Sequence, residues 1–415
     1  YLELERVMHL FNEVFIQILI LLAISISVIA IANLLKQPYS IALVLVGLLL
    51  GLTDNPVIDT AEQFITQSSV FQAIIISLFL PILLGDATLK LEFSVLYQQR
   101  KPILALAFIG TFLSFLLIGF GTFYVIGLPL IVAFTFAALM SATDPISVLS
   151  IFKSLGVSKK LAVTIEGESL LNDGIAVVLF QISSIYLITY IQMGIAGFGS
   201  GVLLFLKFSI GGLVIGLLLG FVFSQLLRPF DDYPLEVAFS ALLFFGCYFI
   251  AEHFHFSGVI AVVVGGLIFG NYGAKIGMSK QTKVNINTFW DSITQIANSL
   301  IFLMIGLEIR HIDFADKWGI IILAILIVVV GRVIAVYSST TIVKGLSLNE
   351  KHIINWGGLK GSLSIALALS LPADFQGKET ILLLTFSVVL FSLLVQGLTI
   401  KPLVRKLGVL PSMNK

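Results

Sequence analysis

Apolar residues run in long blocks along this chain, separated by short clusters of charge or by Gly and Pro. Uncharged stretches such as 103–128 and 320–330 recur from one end to the other. A helix needs about 20 apolar residues to cross a bilayer. Read against charged and Gly/Pro breaks, the blocks predict thirteen helical spans. They lie at approximately 12–35, 39–52, 69–88, 102–126, 129–150, 161–190, 201–227, 234–254, 257–270, 287–307, 318–343, 351–371 and 379–403. The second and ninth are short, and only modest loops lie between spans. Residues 1–415 read as one membrane domain with no soluble domain expected.

Composition agrees with the pattern. Of 415 residues, 58% are apolar and 11% charged, against roughly 25% charged in a soluble domain. The mean hydropathy is +1.08. These values exclude a soluble fold and a disordered chain, and a net charge of +1 leaves no electrostatic footprint for nucleic acid. The single cysteine, Cys247, cannot form an intramolecular disulfide. The first residues lack the basic start of a secretory leader, so the first apolar run reads as a true span.

Lys and Arg distribute unevenly between alternate loops. With the N-terminus outside, seventeen fall on the cytoplasmic side, including Lys36, Arg100, Lys153, Lys344, Lys401, Arg405 and Lys415. Four (Arg6, Arg310, Lys317 and Lys378) fall outside. The excess of positive charge on inner loops predicts a cytoplasmic C-terminus and an odd number of spans, in a cell membrane, either plasma or bacterial inner. Thirteen divides into six, one and six: a first repeat over about 12–190, a linking helix over about 201–227, and an inverted second repeat over about 234–403. Inverted repeats of this kind build many secondary transporters. The division pairs the fifth span with the twelfth.

Both of those spans are interrupted. Pro145 removes a backbone donor and pushes Asp144 out of helical geometry, and Asp-Pro also suits the start of a new half-helix. Gly357-Gly358-Leu359-Lys360-Gly361 breaks the twelfth span. Irregular backbone at mid-depth needs a polar cavity to line. In the sixth span, Asp173 lies about 18 Å from a start near Leu161, at 1.5 Å per residue, close to the middle of a hydrocarbon layer roughly 30 Å thick. Arg332, in the eleventh span, reaches a similar depth, as does Asp144. Charges there are costly and functional by default.

Helical phase sorts these groups. Ser169 and Asp173, four apart, share one face, and Glu168 and Asn172 share the next. Glu168 and Asn172 suit the guanidinium of Arg332, which reads as a structural ion pair. No second arginine is left for Asp173 and Asp144. Together with Thr143 and Ser169 they offer hydroxyl and carboxylate oxygens, the ligands hard cations favour. No His/Cys cluster suggests a transition metal, and no cofactor is expected. Desolvation and a second carboxylate both disfavour the ionised form of a carboxyl group, so such a group can hold either a proton or a cation.

Ser-Ala-Thr-Asp-Pro at 141–145 and Glu-Gly-Glu-Ser-Leu-Leu-Asn-Asp-Gly at 166–174 closely resemble the motifs of monovalent cation–proton antiporters of the bacterial NhaP and animal NHE type. Gly331-Arg332, the 357–361 segment and Ile305-Gly306-Leu307-Glu308 add weaker matches. The resemblance implies an all-α polytopic fold of the NhaA/NhaP kind, with inverted six-helix repeats and broken fifth and twelfth helices. It implies a homodimer whose core domain moves against a dimerisation domain. It carries Thr143, Asp144, Ser169 and Asp173 onto the cation and proton site, and Arg332 onto a partner of Glu168 and Asn172. Two departures stand out: Asp86 occupies a third-span position usually held by Glu, and Lys360 one more often held by Arg. The expected activity is exchange of Na⁺ or Li⁺ for H⁺, electroneutral, by alternating access, and not an enzymatic reaction. Among other readings, K⁺/H⁺ exchange uses the same oxygens. A sodium-coupled symporter lacks a further polar cluster for an organic substrate. A channel does not need paired broken helices. An intramembrane aspartyl protease does not match the sequence around Asp144 and Asp173.

Overall fold

The structure, a computed structural model, describes residues 2–35, 38–52, 75–230, 232–308, 316–343, 345–372 and 374–409. Lys36, Arg310, Lys344 and Lys415, which enter the charge count, lie outside the described residues, as do residues 69–74 of the third expected span and the side chains of Arg6 and Glu308. Among the described residues every regular element is helical.

The helices follow the apolar blocks in order. α1 (Leu2–Leu34) and α2 (Tyr39–Gly51) precede a π-turn at Ile75–Phe79 that leads into α3 (Leu80–Lys90). After a short helix α4 (Phe93–Gln98) come α5 (Arg100–Ile126), α6 (Leu130–Leu139), α7 (Ile146–Leu155) and α8 (Lys159–Gln192). α9 (Ile195–Leu227), α10 (Tyr233–His253), α11 (Gly258–Gly277) and α12 (Lys280–Glu308) follow. The chain closes with α13 (Trp318–Thr341), α14 (Leu348–Trp356), α15 (Ser362–Leu369) and α16 (Lys378–Leu407). Nine of the described helices are long and apolar enough to cross a membrane, and α2, α6 and α7 are shorter apolar helices.

The breaks fall where the sequence places them. α6 and α7 form the interrupted fifth segment, α14 and α15 the twelfth. The first half of the latter, α14, starts on a capping box: Ser347 accepts from the Glu350 N–H while the Glu350 carboxylate accepts from the Ser347 N–H, satisfying two donors that a helix start leaves free. Some boundaries differ from expectation. α9 begins six residues earlier than the apolar run, and α16 extends to Leu407. α4 was not expected; it buries no residue, so hydropathy carries no signal for it. Five further π-turns interrupt otherwise α-helical spans, among them Ser392–Gln396 in α16.

One large core joins α3, α6, α8, α10, α11 and α13, with Phe136, Phe244 and Phe269 fully buried within it. A second packs α1, α2 and α12 against α15 and α16, and a third gathers the ends of α5, α7, α8, α13, α14 and α16. Outside these cores, α9 exposes Leu203, Val214, Leu217, Leu218 and Phe221 along its length. A continuous apolar face of that size is stable against lipid or another protein rather than water. The chain is an integral multi-pass membrane protein.

Candidate functional site

The two interrupted segments cross each other at the centre of the bundle, held by backbone bonds that only unwound chain can make. The Asp144 N–H donates to the Leu359 carbonyl at 2.7 Å. Lys360 Nζ donates to the carbonyls of Met140 and Ala142, and the Ser364 hydroxyl to that of Leu139 at 2.7 Å. These are acceptors that the end of α6 leaves without intrahelical partners, so the Lys360 ammonium closes a helix C-terminus, where positive charge is favoured. The Lys360 N–H is in turn held by Ser392 Oγ at 2.9 Å, presented from the π-turn of α16, where the Ser392 hydroxyl donates to Gln396.

Asp144 serves the opposite ends. Its Oδ1 accepts from the Ile146 N–H at 2.9 Å, at the start of α7, and its carboxylate lies against Gly361, the residue that caps the start of α15. One carboxylate therefore meets two helix N-termini, both of which favour negative charge. Gly361 makes this possible, because a Cβ there would collide with the Asp144 carboxylate. Gly358 does the same for Arg332: a Cβ would stand 2.7 Å from the guanidinium.

α8 supplies the third wall. Ser169 donates its hydroxyl to the Thr143 carbonyl, and Asn172 Nδ2 donates to Thr143 Oγ1 at 2.8 Å. Thr143 is thus tied to α8 by its carbonyl and its hydroxyl. Among the described residues, Asp173 Oδ1 and Asp144 Oδ2 are buried without a hydrogen-bond partner. Both residues line a cavity of about 180 Å³, together with Thr143, Ser169, Asp86, Lys90, Glu166, Thr294 and Asn298. Orphaned buried oxygens cost about 1–3 kcal/mol each, more when charged. They mark a place for a proton or a cation.

Glu168 and Arg332 lie outside that cavity. Arg332 Nη1 meets Glu168 Oε1 at 2.5 Å, with both side chains more than nine-tenths buried, and Nη2 donates to the Ile354 carbonyl at 3.2 Å. Here one expectation changes. Asn172 was assigned to the guanidinium with Glu168, but its amide bonds Thr143 instead. Helical phase puts Asn172 beside Glu168 on α8; the passage of the unwound 140–145 segment across that face captures it.

Asp86 borders the cavity and pairs with Lys90 at 2.5 Å, and Lys90 also meets Asp291 of α12 at 2.6 Å. Sequence reasoning missed Lys90, Thr294 and Asn298. The signals were present: Lys90 is four residues beyond Asp86, and Asp291, Thr294 and Asn298, at i, i+3 and i+7, make a polar stripe on one helical face.

Comparison with known proteins agrees with this geometry. A family model described as sodium/hydrogen exchanger, transmembrane, matches residues 19–406. The chain is 72% identical over 403 residues to the Na(+)/H(+) antiporter NhaH of Halobacillus dabanensis, covering 97% of this chain and all of that protein. It is 58% identical over 401 residues to the Na(+)/H(+) antiporter NhaG of Bacillus atrophaeus, covering 97% of this chain and 76% of the relative. Among solved structures, the sodium proton antiporter MjNhaP1 of Methanocaldococcus jannaschii superimposes with a TM-score of 0.77 at 23% identity, over 95% of this chain and 99% of that one; this likeness bears on the fold. The match across nearly the whole length, with the acidic motifs of the fifth and sixth spans inside it, makes this chain a member of the transmembrane sodium/hydrogen exchanger family.

Proposed function

We propose that the protein exchanges Na⁺ or Li⁺ for H⁺ across the membrane, with Asp173 carrying either the proton or, with Thr143, Asp144 and Ser169, the cation. The observation that carries this reading is the pair of carboxylate oxygens, Asp173 Oδ1 and Asp144 Oδ2, buried without a partner among the described residues and lining one cavity. Hard oxygens surround it, and the nearby arginine is already bonded elsewhere. Asp86 and Glu166 extend the cavity's acidic lining towards the Lys90 end and attract cations into it. Glu168 and Arg332 act as a structural pair, and Lys360 holds the crossing together.

The wider reading is a chain of thirteen crossings with its C-terminus in the cytoplasm, built from inverted repeats and working as a homodimer by alternating access. The positive charge of the expected inner loops, the paired broken segments and the exposed apolar face of α9 support it. K⁺ is the alternative cation, since the same oxygens bind it with an affinity set by cavity size. The test is a pH-sensitive dye in proteoliposomes, followed after adding NaCl, LiCl or KCl in turn. Na⁺ or Li⁺ should dequench the dye, and Asp173→Asn should abolish the response while the protein stays folded. Full exchange by folded Asp173→Asn protein would remove Asp173 from the centre of the reading.

A further inference from the structure

A second polar cavity, of about 360 Å³, opens where the last turns of α1, α7 and α16 meet the start of α2. Its lining is mixed. Pro38, Ile151, Leu155 and Leu398 form apolar walls, and Asn33, Ser150, Ser154, Lys401 and Arg405 bring polar groups. Lys401 and Arg405 are four residues apart on α16, and Ser150 and Ser154 four apart on α7, so each pair projects from one face of its helix. Among the described residues no carboxylate lines the cavity. Among the described residues neither Lys401 nor Arg405 has an acidic partner. The Asn33 amide and the Ser150 hydroxyl have no hydrogen-bond partner there either, whereas Ser154 spends its hydroxyl on the Ile151 carbonyl.

We propose that this cavity is a binding site for the phosphodiester headgroup of an anionic phospholipid. Two cations unmatched by protein acid, with an amide and a hydroxyl beside them, supply charge and donors for phosphate oxygens. The position selects a lipid over a soluble anion. The groups sit at the ends of apolar helices, the depth at which headgroups lie. The apolar walls beside them receive the upper part of a lipid chain, and basic pockets between helices at that depth are suited to anionic headgroups. A helix-end role for the same cations, offsetting the partial negative charge of the α7 and α16 C-termini, needs no ligand. The experiment separates the two.

Purified protein in a neutral detergent is titrated with phosphatidylglycerol, with phosphatidylcholine and with inorganic phosphate, following bound lipid by native mass spectrometry and thermal stability by tryptophan fluorescence. Phosphatidylglycerol should bind and raise the transition temperature, with phosphatidylcholine and phosphate far weaker. Lys401→Gln/Arg405→Gln should lower the apparent affinity for phosphatidylglycerol at least tenfold. Lys406→Gln removes the same charge from the same helix but lines a different groove, and it should bind as the parent does. Each single variant carries the test if the double variant does not fold. Equal binding of both lipids, or equal losses from Lys406→Gln and from the cavity variants, overturns the site. A full thermal shift from inorganic phosphate alone overturns the assignment to lipid.

Discussion

Neutralising either member of the Glu168–Arg332 pair leaves the other buried and charged, while neutralising both leaves neither. The guanidinium and carboxylate meet at 2.5 Å with 9% and 2% of their side chains exposed. Charge centres about 4 Å apart attract by ~4 kcal/mol at an effective dielectric of about 20. Burying each ion costs several kcal/mol, so the intact pair contributes little net stability. Removing one partner forfeits the attraction and keeps the other ion's burial cost, a loss of about 3–5 kcal/mol. For Glu168→Gln, Arg332 retains only the Ile354 carbonyl, and its Nε already lacks a partner. For Arg332→Gln, the Glu168 carboxylate loses the guanidinium it is bonded to. The double variant Glu168→Gln/Arg332→Gln should therefore lose less than the two singles together, by about 1–3 kcal/mol of coupling. Thermal transitions of the four proteins, in one detergent at one pH, measure the cycle. Additive destabilisation, with no recovery in the double variant, would refute a structural pair.

Two further predictions concern the cavity. Ser169→Ala removes the hydroxyl that donates to the Thr143 carbonyl, and Thr143→Ala removes the acceptor of the Asn172 amide. Both should raise the half-saturating cation concentration severalfold in dye-quench assays without abolishing exchange, and an unchanged cation dependence would exclude both hydroxyls from ligation. Exchange should be electroneutral: Glu168 and Arg332 cancel, Asp144 lies at two helix N-termini that favour its charge, and Asp173 alone trades one proton for one cation. A transport rate that follows the sign of an imposed potassium diffusion potential would defeat the one-for-one count and point to proton release from Lys360.

Hydropathy and local chemistry carried the sequence a long way. Span positions follow from the length of each apolar run, and chain breaks from Pro145 and the 357–361 glycines, because these signals are properties of neighbouring residues. Depth could be counted along a helix, so Asp144, Asp173, Glu168 and Arg332 could be placed together near mid-membrane. Partner choice could not be counted in this way. Asn172 shares a helical face with Glu168, yet the unwound strand of chain beside it takes its amide. Lys360 reads as a charge in the break of the twelfth span, yet three-dimensional crossing puts the end of α6 in front of it. Lys90, Thr294 and Asn298 enter the cavity only because α3 and α12 pack against the broken helices. Periodicity is set by residues within a few positions of each other. A bond from Asn172 to Thr143, or from Lys360 to Met140, joins segments 29 and 220 residues apart, and only the packed bundle brings them into reach.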